Sequence, residues 1–273
     1  MTQRILDKHY SVLIPVYKND NLEAFKLAVQ SILDHQILKP SQVVISIDGP
    51  LPKSLKDYVL QLEKQSIFTC VWSSVNNGLA IALNRGLEQC RYDIVARMDS
   101  DDVAHPTRFE KQLKLIGSND LISSDLAEFS ESIDKVESYR KAMTKDLISQ
   151  KYWLRNPCNH PSVMFRKSSV LRAGGYIHMP FFEDWYLWIR MIAQGARCDN
   201  INEPLVYFRS DSRQLNRRRG VTYLKHEIHF VKELTRQKYI SSIQLYTRVA
   251  ISIIFRLLPM RVFKFITKVL LRK

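Results

Sequence analysis

The chain has 273 residues, and its 41 Lys and Arg against 27 Asp and Glu give a formal net charge of +14. Apolar residues make up 45% of the chain and Gly and Pro are few, which excludes a disordered, collagen-like or low-complexity protein. No stretch supplies the ~20 apolar residues of a membrane-spanning helix. The charged start MTQRILDKHY lacks the apolar run of a secretory signal, which predicts a location on the cytosolic side.

Strand-like and helix-like patterns alternate along the first ~100 residues. Short β-branched runs cover residues 10–17, 43–48, 67–75 and 92–98, and helical spacing of apolar residues covers 22–33, 54–65 and the segment from Asn77 onward. Such alternation is typical of a doubly wound, mainly parallel α/β sheet. We therefore expect a Rossmann-like nucleotide-binding half over residues 1–118.

The pattern changes after Asp120. Strand-like runs at 121–124 and 160–165 are mixed with helices near 144–153 and 183–194, which predicts an α+β half over residues 119–210. Residues 220–271 are almost wholly helical in pattern and are interrupted at Pro259. We expect residues 211–273 to form a basic, helical C-terminal extension. The four cysteines include no Cys-x-x-Cys pair, so we expect reduced, mostly buried thiols.

Three carboxylates, Asp99, Asp101 and Asp102, directly follow the fourth predicted strand. Ligands of parallel α/β sheets bind outside the carboxyl ends of the strands. Three acids there would repel one another unless a cation lay among them, and Mg²⁺ or Mn²⁺ takes oxygen ligands together with nucleotide phosphates. An acidic turn that caps the next helix is the alternative.

The other strand ends carry residues that suit a nucleotide. Asp48 can accept a hydrogen bond from a pyrimidine base, Tyr17 can stack on that base, and the backbone after Pro15 and the side chain of Asn77 stand at neighbouring ends. An ordinary turn and plain packing are the alternatives. No Gly-x-Gly-x-x-Gly or Gly-x-x-x-x-Gly-Lys loop is present to bind phosphates.

Two further acids, Glu183 and Asp184, begin an aromatic-rich helical pattern. They could simply complement the helix dipole. A carboxylate flanked by apolar groups can also have a raised proton affinity, which suits a general base.

Taken together, these segments resemble the family-two inverting glycosyltransferases of the GT-A fold, over about residues 9–210. Among such enzymes the similarity is greatest to bacterial ones that build O-antigen, capsule or exopolysaccharide. The motifs are SVLIPVY (11–17), Asp48-Gly49, NGLA (77–80), MDSDDV (98–103) with Pro106 and Arg108, GGY (174–176), and Glu183-Asp184 through Leu187-Trp188.

The resemblance implies one GT-A glycosyltransferase domain over residues 1–210, with 119–210 as its acceptor half, and a UDP-sugar donor lying across the strand ends. Asp48 and Tyr17 would hold uracil and ribose, Asp99 and Asp101 would bind ribose and the metal, and Asp102 would complete the metal site. The metal would be Mn²⁺ or Mg²⁺.

For the chemistry, the resemblance implies Asp184 as catalytic base with Glu183 beside it in a donor or acceptor contact. It places His160 near the donor sugar. Transfer would be a single inverting displacement onto a hydroxyl group of a glycan acceptor carried on a polyprenyl diphosphate or on lipid A-core.

Most of the positive charge lies near the C-terminus, because residues 205–273 hold 16 Lys and Arg against three acids. Arg217, in a cluster with Arg213, Arg218 and Arg219, could bind the diphosphate. The apolar and basic residues of 249–271 predict a helix in an anionic membrane interface, so we expect a peripheral enzyme on the inner face of the cytoplasmic membrane. An exposed loop and a core helix are the respective alternatives.

Two other functions remain open on the sequence. A sugar-phosphate nucleotidyltransferase would share the sheet and the metal, but the loop after the first strand, IPVYKN, has no glycine. A non-catalytic basic protein that binds membranes or nucleic acid is the other possibility. Because the predicted pocket is acidic and no nucleic-acid motif is present, we expect no nucleic-acid partner.

Overall fold

The structure, a computed structural model, describes residues 9–210 and 220–258. The strands are β1 (Ser11–Tyr17), β2 (Gln42–Asp48), β3 (Phe68–Val71), β4 (Ile94–Arg97), β5 (Val103–Ala104), β6 (Leu121–Phe129), β7 (Ser138–Arg140), β8 (Met164–Arg166) and β9 (Cys198–Arg209). The α-helices are α1 (Leu22–Leu33), α2 (Lys53–Glu63), α3 (Leu79–Gln89), α4 (Arg108–Leu115), α5 (Lys145–Lys151), α6 (Lys167–Arg172), α7 (Glu183–Ala193), α8 (Gly220–Arg236) and α9 (Ser242–Leu257). All nine strands belong to one sheet, in the order β3-β2-β1-β4-β8-β6-β9-β5, with β7 paired to β6.

The first half of the sheet is parallel and covered on both faces. Strand β1 pairs with β2 and β4, and β2 pairs with β3, all in parallel. Val12 and Ile14 pack with α1 and α2 on one face, whereas Leu13 packs with α3 on the other. Helix α3 approaches the sheet closely at Gly86, where an added Cβ would collide with Leu13. The predicted doubly wound α/β arrangement is confirmed for these residues.

The second half continues the same sheet with mixed pairing. Strand β8 is antiparallel to both β4 and β6, and β9 runs parallel to β6 along most of its length. The predicted strand at 160–165 is wrong at its start, because residues His160–Ser162 form a 3-10 turn and the strand begins at Met164. Pro161 has no amide hydrogen for a ladder, which explains the turn.

Two C-terminal helices pack against α7. The ring of Phe230 on α8 stacks on Phe182 with centroids 4.7 Å apart, and both belong to one aromatic cluster with Trp185. Helix α8 ends at Arg236 and α9 begins at Ser242, a break that the sequence analysis did not predict. Residues 259–273, which hold most of the predicted membrane segment, lie outside the described residues. No helix in the described ranges is long and apolar enough to span a bilayer.

Candidate active site

The carboxyl ends of β1, β2 and β4 meet at one edge of the sheet because these strands are parallel. The last residues of β1 and β2, Tyr17 and Asp48, lie side by side in register, and Pro15 pairs with Ser46. The side chain of Tyr17 remains exposed at this edge. Strand β4 adds the acidic segment that follows Arg97. The structure therefore brings together the strand-end residues that the sequence analysis singled out.

The three predicted metal ligands form one cluster. An oxygen from each of Asp99, Asp101 and Asp102 lies within 4.8 Å of the other two. Asp102 is buried; its Oδ1 accepts from the Arg209 amide at 2.8 Å, while its Oδ2 has no hydrogen-bond partner among the described residues. Arg97 pairs with Asp99 through both terminal nitrogens of its guanidinium group: Nη1 lies 2.7 Å from Oδ2, and Nη2 contacts Oδ1.

The electrostatics of the cluster reflect burial and crowding. Burial, followed by the charge of Asp99, raises the pKa of Asp101 to about 6. The same two causes and the charge of Asp101 raise the pKa of Asp102 well above its usual range. An orphaned buried carboxylate oxygen among crowded acids has the chemistry of a divalent cation site, so these residues fit Mn²⁺ or Mg²⁺.

A fourth acid, Asp20, joins this cluster and was missed by the sequence analysis. Its Oδ2 accepts from the Tyr17 amide at 2.9 Å. Its pKa is raised to about 6, chiefly by burial, and it interacts with Ser100, Asp101 and Asp99. The available signal was its position three residues after the end of β1, at the same edge of the sheet.

The carboxylate of Asp48 accepts hydrogen bonds from the backbone of the loop before α3. Its Oδ1 accepts from the Asn77 amide at 2.9 Å and its Oδ2 from the Gly78 amide at 2.8 Å, and Arg85 approaches Oδ1 at 3.3 Å. Gly78 has φ +89°, a conformation that L side chains rarely adopt. Asp48 thus shapes this loop through its backbone, and Asn77 is exposed beside it.

His160 lies among aromatic side chains. Its Nε2 is 3.1 Å from the Tyr176 hydroxyl, and its ring meets Trp188 edge-on. Burial, and then the charge of Arg97, holds the pKa of His160 well below its usual range, so the ring is neutral at pH 7. The contact of the His160 ring with the Tyr176 hydroxyl helps to position Tyr176.

Glu183 and Asp184 occupy the first turn of α7, which begins two residues after Phe181, a residue with φ +70°. Burial, and then the neighbouring Asp184, raises the pKa of Glu183 to about 7. Asp184 Oδ2 accepts from the Asn156 side-chain amide at 2.7 Å. The two acids therefore differ in their surroundings although they are adjacent in the chain.

Tyr176 relates the two acidic groups to each other. Burial raises the pKa of its phenol, Arg97 opposes this, and the charges of both Asp184 and Asp99 add to it. The charges of Asp184 and of the metal-ligand cluster therefore both act on one phenol. Arg217, with its neighbouring arginines, lies outside the described residues.

Comparison with known proteins identifies the family. A sequence profile described as Glycosyl transferase family 2 matches residues 11–173. The chain belongs to glycosyl transferase family 2. The amylovoran biosynthesis glycosyltransferase AmsE of Erwinia amylovora is 34% identical over 260 residues, which cover 94% of this chain and 97% of AmsE.

Two further similarities bear on the fold and the substrate. The UDP-Gal:alpha-D-GlcNAc-diphosphoundecaprenol beta-1,3-galactosyltransferase of Escherichia coli is 32% identical over 267 residues, 97% of each chain. The solved mannosyltransferase PcManGT of Pyrobaculum calidifontis, in complex with GDP-Man and Mn²⁺, matches with a TM-score of 0.63 and 14% identity, over 91% of this chain and 74% of its own. The predicted GT-A fold is confirmed, and the protein is a glycosyltransferase.

The partly buried carboxyl of Glu183 makes a testable contribution to stability. Its pKa is higher in the folded protein than in the unfolded chain, so folding is weakened as the pH rises from about 4.5 to 7 and the group ionises. We expect Glu183→Gln to gain up to about 3 kcal/mol in free energy of unfolding relative to the parent between pH 5 and pH 8. Urea unfolding at both pH values measures this gain.

The exposed Glu88 on α3 provides the matched control. Glu88→Gln should track the parent at both pH values. An equal free-energy difference between Glu183→Gln and the parent at pH 5 and at pH 8 would contradict the assigned pKa.

Proposed function

We propose that this glycosyltransferase inverts configuration as it moves a hexose from a UDP-sugar to a hydroxyl group of a lipid-linked glycan, in the synthesis of a surface polysaccharide. The observation that carries the proposal is the cluster of Asp99, Asp101 and Asp102 at the carboxyl end of β4. The charges of Asp184 and of Asp99 both act on the Tyr176 phenol, which supports a link between this cluster and Asp184. The names of the Erwinia and Escherichia relatives, which match nearly full length, support the polysaccharide, the UDP-sugar and the diphosphate-lipid acceptor.

The donor nucleotide is proposed to lie across the ends of β1, β2 and β4. The exposed Tyr17 ring suits stacking on uracil, and the Pro15 segment supplies the adjacent strand end. Asp48 holds the Asn77 and Gly78 amides and so shapes the neighbouring side of the base site. Asp99, which Arg97 orients, is placed for the ribose and the metal.

Asp101 and Asp102, with Asp99, are the residues that would hold a divalent cation. Asp102 offers its buried, unpartnered Oδ2, and the crowded Asp101 has an elevated proton affinity that a cation would lower. When bound, Mn²⁺ or Mg²⁺ would neutralise charge on the diphosphate leaving group. His160 supports the donor sugar indirectly, through its contact with Tyr176.

Asp184 is proposed to act as the general base. It removes the proton from the acceptor hydroxyl as that oxygen attacks the anomeric carbon, and the bond from this carbon to the diphosphate oxygen breaks in the same step. One displacement leaves the new glycosidic bond on the opposite face of the sugar, which is inversion. Glu183 is then a contact for the donor or acceptor sugar.

Replacing the base should remove catalysis and preserve the fold. Asp184→Asn is nearly isosteric and can still accept from the Asn156 amide, so we expect the rate of UDP release from the best-hydrolysed UDP-sugar to fall by ~10² or more. The affinity for UDP and the melting temperature should stay close to the parent. Enzyme-coupled detection of UDP, isothermal calorimetry and thermal unfolding measure the three quantities.

Glu183→Gln is the matched variant, because it neutralises the adjacent acid of the same helix. It should reduce UDP release less than Asp184→Asn does. If Asp184→Asn retained most of the turnover, or if Glu183→Gln alone abolished it, Asp184 would not be the base.

A membrane location is proposed from the orientation of α9. The side facing the protein carries charge: Glu227 is buried and accepts from Arg248 and from Arg256, the latter at 2.9 Å. Burial would raise the pKa of Glu227, but the charges of these two arginines outweigh it and lower the pKa. Arg248 and Arg256 therefore face inward, toward Glu227 on α8.

The outward side of α9 is apolar as a consequence. Ile243, Tyr246 and Ile254 are 78%, 72% and 67% exposed, and their spacing places them on one face. This part of the sequence is basic: Lys225 and Lys232 are exposed on α8, and residues 259–273 contain five Lys and Arg and no acid. An apolar helix face in a basic part of the chain suits an anionic lipid surface, on the inner face of the cytoplasmic membrane.

Charging the outward face should weaken lipid binding. We expect Ile243→Asp combined with Ile254→Asp to lower the affinity for phosphatidylglycerol-containing vesicles at least ~10-fold, because two exposed isoleucines lose their apolar burial. Vesicle co-sedimentation measures the affinity. Leu27→Asp, on the exposed side of α1, is the control and should bind as the parent does.

Unchanged vesicle binding by the double variant would refute this docking face. A parent dimer in solution that the two substitutions dissociate would assign the face to a second copy of the chain.

A further inference from the structure

Asn156 occupies an irregular loop that faces the first turn of α7. We propose that Asn156 is the positioning residue of the base: its side-chain amide holds Asp184 ionised and oriented, and so selects Asp184 over Glu183 as the proton acceptor. This inference rests on the proposed function, in which Asp184 takes the proton of the attacking hydroxyl group.

The orientation of the Asn156 amide is set by a second contact. Its Oδ1 accepts from the Cys158 backbone amide at 3.2 Å, which turns Nδ2 toward Asp184 Oδ2 at 2.7 Å. An amide nitrogen can only donate, so Asp184 must accept in this bond. A donor to a carboxylate favours the charged form. The contact therefore keeps Asp184 ready to receive a proton.

The loop that carries Asn156 is anchored on both sides. Trp185 Nε1 donates to the Tyr152 carbonyl at 2.6 Å, which ties the loop to α7 one residue after Asp184. The Pro157 carbonyl accepts from Asn200 Nδ2 at 2.9 Å. Because the donor is held on a fixed segment, it fixes the position of the carboxylate as well as its charge.

Glu183 has no equivalent partner. Within the described ranges, no side-chain donor bonds to Glu183, and its carboxyl is instead shielded from water at the start of the helix. Among the described residues, the titratable groups that interact with Asp184 include Glu183 on the same helix and Tyr176 from the preceding loop, and Arg97 also acts on Tyr176. The neutral donor Asn156 thus distinguishes Asp184 from the adjacent Glu183 as the acceptor of the proton.

The pH dependence of catalysis tests this role. Asn156→Asp keeps an oxygen for the Cys158 amide but replaces the donor to Asp184 with a carboxylate. We expect the midpoint of the acidic limb of kcat, measured as UDP release from pH 5 to 9, to rise by about one pH unit or more. At pH 7 the rate should fall ~10-fold and recover toward the parent value at high pH.

Asn156→Ala removes the donor without adding charge, and its midpoint should rise in the same direction by a smaller amount. Asn202→Asp, at an exposed position of β9, controls for the added negative charge and should keep the parent midpoint. The alanine variant decides the question if the aspartate variant does not fold.

Two results distinguish a failure of the Asn156 role from a failure of Asp184 as the base. If Asp184→Asn abolishes UDP release while both Asn156 variants keep the parent midpoint and lose only thermal stability, Asn156 is merely structural and this inference is wrong. If Asp184→Asn retains its turnover, the proposed base itself is wrong and the positioning role falls with it.

Discussion

The arrangement depends on how the protein compensates three carboxylates at the end of β4. Asp99 is neutralised by Arg97 from the same strand, whereas Asp102 depends on the Arg209 amide at the end of β9. The Arg209 guanidinium also donates to the Asp101 carbonyl at 3.1 Å and lies over the Phe129 ring. The pairing of β9 with β6 extends to Arg209 and therefore positions this residue to contact Asp101 and Asp102. Within the described part of the chain, Asp102 Oδ2 still has no hydrogen-bond partner, and a buried, unpartnered carboxylate oxygen suits this edge to a cation.

A second buried ion pair connects the helix of the proposed base to the C-terminal helices. Arg248 lies over the Trp185 ring, with its guanidinium carbon 4.5 Å from the ring centroid, and pairs with the buried Glu227. Trp185 directly follows Asp184 on α7. The residues that orient α9 with its apolar side outward are thus packed against the helix that carries the proposed base. In the proposed function, a lipid surface at α9 and an acceptor hydroxyl at Asp184 would be served by one connected set of helices.

Much of the first half could be predicted from the sequence, because buried parallel strands and amphipathic helices have distinct apolar periods and strand ends converge by topology. The cluster at Asp99 was predictable for that reason. Asp20 and Asn156 were not, since irregular loops position both, and Asn156 meets Asp184 across 28 residues of sequence. The rotation of α9 also escaped prediction. Its apolar spacing indicated an amphipathic helix, but only the distant Glu227 shows that the arginines face inward and the isoleucines outward.

The most direct measurement of the central claim is a crystal structure of the protein with UDP and MnCl₂, using the anomalous signal of manganese. We expect one manganese peak bound by carboxylates of the Asp99, Asp101 and Asp102 cluster and by the diphosphate of UDP. The uracil ring should lie at the Tyr17 end of β1. A structure with UDP bound elsewhere, or with UDP at this edge and no manganese among the three aspartates at saturating concentration, would contradict it.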